Sequence, residues 1–408
     1  MMETFDFSYT IPYLALFLAF VVLLFWEFRL MNAEKDTTYI RWISIILFLF
    51  FFGLRGFVYT DWAIYYRLFN DLPTIGEDGL ANVLSTDFSK EFITDVSVGK
   101  PGMELGFIYF IVFFKSLINN YYAFVFTNTL IDILLLNVFL KRYSKYYTLS
   151  IILFMVFGGY ILEFNLMRNI KALMLFLISI KYIQERRIVP FIILNVIGFF
   201  FHSIALVFFP LYFILNKQWP KWLVWGIFIV GNILFIFQIK YLQTFVITVS
   251  DLLGGRMGVK TRLYFASDFY SQSYGIGLGY IERVLTFLVM VLSQRKLKEQ
   301  NAYNLIFINC LILYFVIYFF FSEIMVAVER LSLLFVFAYW ILYPELLFLL
   351  KKTLYKWILL LLLFAYSALK IIQANINIFA RYDNVLFGIE SYEDRNTKVY
   401  NNQDALFK

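Results

Sequence analysis

Charged side chains recur at the ends of long apolar runs, and their types suit one kind of chemistry. The stretch LRGFVYTDWAIYYRLF carries Arg55, Asp61, Tyr65 and Arg67, and KPGMELGF carries Glu104. EFNLMRNIKALMLF adds Glu163, Arg168, Asn169 and Lys171; GYIERVLTF adds Glu282 and Arg283; VAVERLSLLF adds Glu329 and Arg330. The chain has one histidine, His202, in FFHSIALVFFPLYF between two apolar runs. Arginine presents a planar fork of donors that fits phosphate oxygens and stays charged. Histidine can exchange a proton near neutral pH. Arginines and carboxylates gathered at one membrane surface, with a single imidazole, suit an enzyme that handles a lipid diphosphate.

Any one of these residues has a plainer reading. A helix-end arginine often snorkels to the interface or pairs with a nearby carboxylate, and a lone histidine can simply close a helix. Number and side favour chemistry, because a charge at membrane depth costs roughly 2.5–3.5 kcal/mol on insertion scales. Glu282 and Arg283 are consecutive and diverge on a helix, as do Glu329 and Arg330, so each needs a partner elsewhere. Other chemistries lack their residues. One histidine and one cysteine do not make a zinc or haem site. The phosphate loop G-x-x-x-x-G-K-[ST], an Asp-x-Asp metal site and the G-x-S-x-G elbow are all absent.

The elements that must hold these side chains are membrane helices. The chain of 408 residues is 62% hydrophobic with 51 phenylalanines, more apolar surface than a soluble domain can hide. Apolar blocks fall at 9–25, 42–54, 121–140, 147–162, 173–183, 191–201, 204–215, 222–237, 284–292, 305–321, 331–350 and 357–369. Their lengths predict an all-α, polytopic integral membrane protein with about 12 or 13 crossings, a pattern a GT-C-like architecture would satisfy. No block shows the period of two that a β-barrel needs. No internal repeat or linker divides the chain, so one membrane domain over 1–408 is expected.

Net charge is +7, yet position argues against nucleic acid. The basic residues cluster between helices, at Lys141–Lys145, Arg186–Arg187, Lys217–Lys221, Arg295–Lys298 and Lys351–Lys356. That is the positive-inside pattern, which places those turns in the cytoplasm. Polar stretches at about 55–102 and 239–280, and a polar tail at about 373–408, then lie outside, with His202 and Glu329–Arg330 at outer helix ends. The acidic start, with Glu3 and Asp6, does not read as a cleavable signal peptide. Cys310 has no second cysteine to pair with. Topology closes only if one segment of the N-terminal third is re-entrant, and 103–117, short and beginning with a carboxylate, is the candidate.

The charged stretches, in this order, resemble the EpsG-type members of the Wzy polysaccharide polymerases. The resemblance is carried by Arg55–Gly56 with Asp61 and Tyr65, by Glu104 and Gly106, by Arg168 and Ala172, by His202–Ser203, and by Glu329–Arg330. Each motif is short; order and spacing over about 42–339 carry the match. Asn169 stands where glutamine is usual, and Tyr59 where a glycine often precedes the Asp. The resemblance implies a bacterial inner-membrane glycosyltransferase that joins undecaprenyl-diphosphate-linked oligosaccharides, one as donor and one as acceptor. The product would be O-antigen, capsule or exopolysaccharide. It implies that Arg55, Arg168 and Arg330 hold the diphosphate, and that His202 is the base, with Asp61 or Glu104 as alternatives. Tyr65, Asn169 and Glu329 would complete the substrate contacts. No metal or cofactor is required if arginines supply the positive charge. The bilayer, and a chain-length regulator, are the further partners. An O-antigen ligase, a transporter of lipid-linked glycans and a membrane acyltransferase are the rival readings. The motif order and the one-sided charges favour the polymerase.

Overall fold

The computed structural model describes residues 4–85, 103–242, 245, 248 and 275–402. Among them every regular element is a helix; only isolated bridges break the pattern. This follows from the solvent: in hydrocarbon each backbone N–H and C=O must find its partner within its own segment. Four described helices are long and apolar enough to cross a membrane: Phe7–Asn32, Tyr121–Tyr143, Tyr147–Phe164 and Thr353–Asn375. Shorter apolar helices accompany them. The protein is an all-α polytopic membrane protein.

The chain divides into two compact units. The first runs to Tyr212 and includes the C-terminal segment from Leu350. It contains α1 (Ile11–Asn32), α2 (Thr38–Phe48), α3 (Trp62–Asp71), α4 (Leu105–Leu117), α5 (Tyr121–Tyr143), α6 (Tyr147–Phe164), α7 (Met167–Gln184) and α8 (Ile188–Phe201). The second, Phe213–Leu349, contains α9 (Lys221–Ile236), α10 (Leu278–Gln300), α11 (Asn304–Phe320), α12 (Met325–Ser332) and α13 (Phe337–Leu349). The first unit resumes with α14 (Thr353–Asn375) and ends with α15 (Tyr392–Asn401).

α1 is apolar on every side. It buries Tyr13, Phe20 and Leu24 while Leu18, Val22 and Trp26 remain exposed, as lipid contact requires. α4 has 13 residues. At ~1.5 Å per residue it is about 20 Å long, short of a ~30 Å hydrocarbon core. The expected block at 204–215 is a 3-10 helix, Ser203–Phe208, followed by the single turn Leu211–Ile214, because Pro210 interrupts the backbone ladder.

The stretch after Arg55, expected as an open polar loop, is partly helical. In α3, Trp62, Tyr65, Leu68 and Phe69 recur on one face and are buried against Phe107, Ile111 and Phe124. That helical periodicity outweighs the polar composition around it. The remainder, 86–102, lies outside the described residues, as does most of 239–280 with its DLLGGRMGVKTR stretch.

The polar tail folds back onto the first unit. Phe5 bridges Asn377, Arg55 bridges Asn384, and the Tyr59 amide donates to the Phe379 carbonyl at 2.8 Å. Tyr392 stacks on Tyr66 at 4.8 Å between centroids. Glu390 gathers the cations Arg381, Arg395 and Lys398. Tyr59 has φ +65°, the left-handed region that glycine favours. Its hydroxyl reaches Asn375 Oδ1 at 3.0 Å and its ring stacks on Phe164 at 5.2 Å, contacts a glycine would lack.

Beneath this surface lies a buried group of charges. Lys171 and Asp132 form an ion pair with side chains 3% and 0% exposed, so neither charge meets solvent. Lys171 Nζ also donates to the Asn128 carbonyl at 3.0 Å. Arg55 donates to the Phe52 carbonyl, to Thr129 Oγ1 at 3.1 Å and to the Glu163 carbonyl at 2.7 Å. Glu163 is buried beside it.

Candidate functional site

Small residues bring three helix ends together. A Cβ on Gly106 would lie 2.5 Å from the Phe200 carbonyl oxygen, closer than any real contact. Glycine therefore lets the start of α4 touch the end of α8. Ala172 on α7 lies against Gly198 on α8, its Cα 3.4 Å from where a Gly198 Cβ would stand, an ordinary packing distance. Each small residue sits two to four positions from a polar one: Gly106 from Glu104, Ala172 from Arg168, Gly198 from His202. Close packing of the small residues therefore converges the polar ones.

Glu104 is the hub. Its Oε2 pairs with Arg168 Nη1. Its Oε1 accepts from the Ser203 amide at 2.9 Å and from Ser203 Oγ at 3.2 Å. His202 Nδ1 lies 3.9 Å from the same oxygen. Burial works against this carboxylate, yet the Ser203 N–H and the Arg168 guanidinium hold it below the usual carboxylate range. Glu104 is thus an ionised group with both oxygens engaged. Arg168 keeps something in reserve: its Nε is buried with no acceptor among the described residues.

The histidine is oriented by the backbone. His202 ends α8, and its Nδ1 accepts the Ile204 amide at 3.0 Å, capping the following 3-10 helix. With Nδ1 used as an acceptor, the neutral ring carries its proton on Nε2. Nε2 is then a donor.

Tyr65 is buried on α3, with its hydroxyl 3.4 Å from the Asn165 carbonyl and close to the Arg168 guanidinium. Burial, against the opposing pull of Arg168, pushes this phenol up to about 12, so it remains a donor at neutral pH. Asn165 Oδ1 accepts from the Thr60 and Asp61 amides at 3.1 and 3.2 Å. It thereby fixes the turn that starts α3. Asp61 lies near enough for its charge to act on Tyr65.

The expected site residues divide. Glu104, Arg168, His202, Tyr65 and Asp61 come together, and Asn169 is buried beside Arg168 on α7. Arg55 does not join them. At 3% exposure, with its donors on Phe52, Thr129 and Glu163, it is spent inside the core. Glu329 and Arg330 are exposed on α12 of the second unit. Ser203 entered the sequence reading only as the neighbour of His202 in their shared motif, with no role assigned, and Asn165 was not singled out. The signal for each was a small polar residue inside an apolar run, one position from His202 and three from Arg168.

Gly106→Ala tests the packing that builds this cluster. Its Cβ would meet backbone, which cannot move aside cheaply. The variant is expected to lose about 1–3 kcal/mol from overpacking, read as a lower melting temperature of the purified protein. Unchanged melting would mean that α4 and α8 do not touch here.

The EpsG family model matches residues 38–384. Searches of the curated proteins and of the solved structures found no match.

Proposed function

We propose, from the premise that the chain belongs to the EpsG family, that it polymerises polyprenyl-diphosphate-linked oligosaccharides at the outer face of the bacterial inner membrane. A polysaccharide polymerase role is what the family supports. The observation that carries the finer reading is the Glu104–Arg168 pair, locked to Ser203 and set beside Tyr65, His202 and Asp61.

In this reading a hydroxyl of the acceptor attacks the anomeric carbon of the donor. A new C–O bond forms and the bond from that carbon to the diphosphate breaks. Polyprenyl diphosphate leaves with the electron pair, and the hydroxyl proton passes to Asp61. Arg168, through its unspent donors, meets the charge that develops on the leaving oxygens. The Tyr65 hydroxyl and His202 Nε2–H supply neutral hydrogen bonds to the same group. His202 is therefore assigned as a donor rather than the base, because its Nδ1 is taken by Ile204. Glu104 is a positioning residue that orients Arg168 and the His202–Ser203 turn. Asn169, Glu329 and Arg330 are assigned to substrate contacts away from the reacting carbon. Nothing in this scheme calls for a metal.

The test is reconstitution. Purified protein in liposomes, given only the lipid-linked repeat unit, should yield a ladder of glycan lengths and release one polyprenyl diphosphate per linkage. Asp61→Asn should abolish the ladder while the lipid-linked donor still binds. Transfer only to a foreign acceptor, or movement of the unit across the bilayer without new linkages, would overturn the proposal.

A further inference from the structure

We infer that α10 carries a glycan subsite, built around Glu282 and Arg283, that binds neutral sugar hydroxyls of the substrate. The identity of the ligand rests on the polymerase reading; the site rests on geometry.

Arg283 is immobilised from three directions. Its Nε donates to the Tyr314 hydroxyl at 2.8 Å and its Nη1 to the Gly279 carbonyl at 2.8 Å. Its guanidinium lies over the Tyr318 ring, 4.0 Å from the centroid. A Cβ at Gly279 would stand 2.8 Å from Nη1, so the glycine leaves the notch into which the guanidinium folds back. These contacts hold a flexible side chain in one place, yet they do not satisfy it. Among the described residues Nη2 has no acceptor, and no carboxylate forms an ion pair with Arg283.

Glu282 is held in a parallel manner. Thr286 Oγ1 donates to Glu282 Oε1 at 2.8 Å. With its one proton used there, Thr286 accepts from the Tyr343 hydroxyl, 2.5 Å away. Glu282 Oε2 has no donor among the described residues. Tyr280 lies three positions before Arg283 and so on the same helix face. It is half-buried, its ring stacks on Phe235 at 5.0 Å, and its hydroxyl donates to Asn232 Oδ1 at 2.7 Å.

The ligand class follows from the two signs. A fixed guanidinium alone would suit a phosphate. A neighbouring carboxylate with an unsatisfied oxygen repels one. Together they offer one donor edge and one acceptor, with aromatic rings beside them. A pyranose meets that set, because each hydroxyl both gives and receives a hydrogen bond and the ring's C–H faces pack on aromatics. Two opposite charges in an apolar unit that do not pair with each other, and are each rigidly held, fit a polar ligand better than a structural ion pair.

The probe is the repeat-unit oligosaccharide freed of lipid and diphosphate by mild acid, with inorganic diphosphate as the comparison. Binding to the purified full chain is read by saturation-transfer NMR, and folding by melting temperature. Wild type should bind the oligosaccharide. Glu282→Gln and Arg283→Lys should each weaken it about 10- to 100-fold, the range expected for a lost hydrogen bond to a charged group. Gly279→Ala should weaken it too, with the charge retained but the guanidinium displaced. Arg295→Gln, at an exposed position on the same helix, should leave oligosaccharide binding unchanged. No binding by wild type, full binding by folded Glu282→Gln and Gly279→Ala, or diphosphate binding that depends on Arg283 would each overturn the subsite. The polymerase reading is judged separately, by the polymer ladder of Arg168→Lys in the same preparations.

Discussion

Arg168→Lys is expected to reduce polymer formation roughly 30- to 1000-fold while the protein inserts and melts normally. The lysine keeps the positive charge and can still reach Glu104, so the local ion pair survives. What it loses is the planar fork, including the buried Nε that has no acceptor among the described residues. A donor that acts on charge developing in a desolvated transition state is worth about 2–4 kcal/mol, which sets the expected range. The deficit should fall in turnover rather than in KM, since the charge grows as the anomeric bond breaks. Rate and KM for the lipid-linked substrate, measured in liposomes, decide the matter. A variant with normal turnover would show that Arg168 serves only to anchor Glu104.

The second large effect is on stability. Lys171→Met should destabilise the protein by about 3–5 kcal/mol, because it leaves the Asp132 carboxylate buried without its counter-charge. Asp132 already has one oxygen with no donor among the described residues, and the neighbouring Arg55 directs its donors to Phe52, Thr129 and Glu163 instead. Asp132→Leu should cost a similar amount by stranding Lys171. The double variant should recover much of the loss, since it removes both charges at once. Unfolding of the four proteins in bicelles gives the coupling energy directly. Single variants within about 1 kcal/mol of wild type would mean that the pair is hydrated and not sealed in the core.

The helices and the polar cluster were legible in the sequence for different reasons. Long Phe-, Leu- and Ile-rich runs leave the backbone no alternative to helix. Glu104, Arg168 and His202 were legible because ionisable groups are costly beside hydrocarbon. Arg55 shows the limit of that logic. Cost identifies a charged residue that must be satisfied, but not by what. Here backbone carbonyls of Phe52 and Glu163 suffice. The setting of His202 was hidden for a similar reason. Its type suggests a base, but its Nδ1 accepts the Ile204 amide, a contact no residue type announces. The fold of the tail was hidden because its partners are hundreds of positions away. Tyr59 held the clue: an aromatic residue in place of glycine at positive φ is tolerated only where something grips it.

That tail has a consequence for how the protein is made. Thr4 and Asp6 are hydrogen-bonded to the backbone of Ile378 and Ile376, and the amide after Asn384 closes on the Leu54 carbonyl. The stretch leading into α1 is thus fastened to a segment that is translated much later. Insertion proceeds from the N-terminus, so the segment bearing Arg55 and Asp61 waits unsealed through the synthesis of everything between. This surface of the first unit is completed as a single late event. Until that moment the nascent chain has its membrane helices but not the surface that steadies its charged turn.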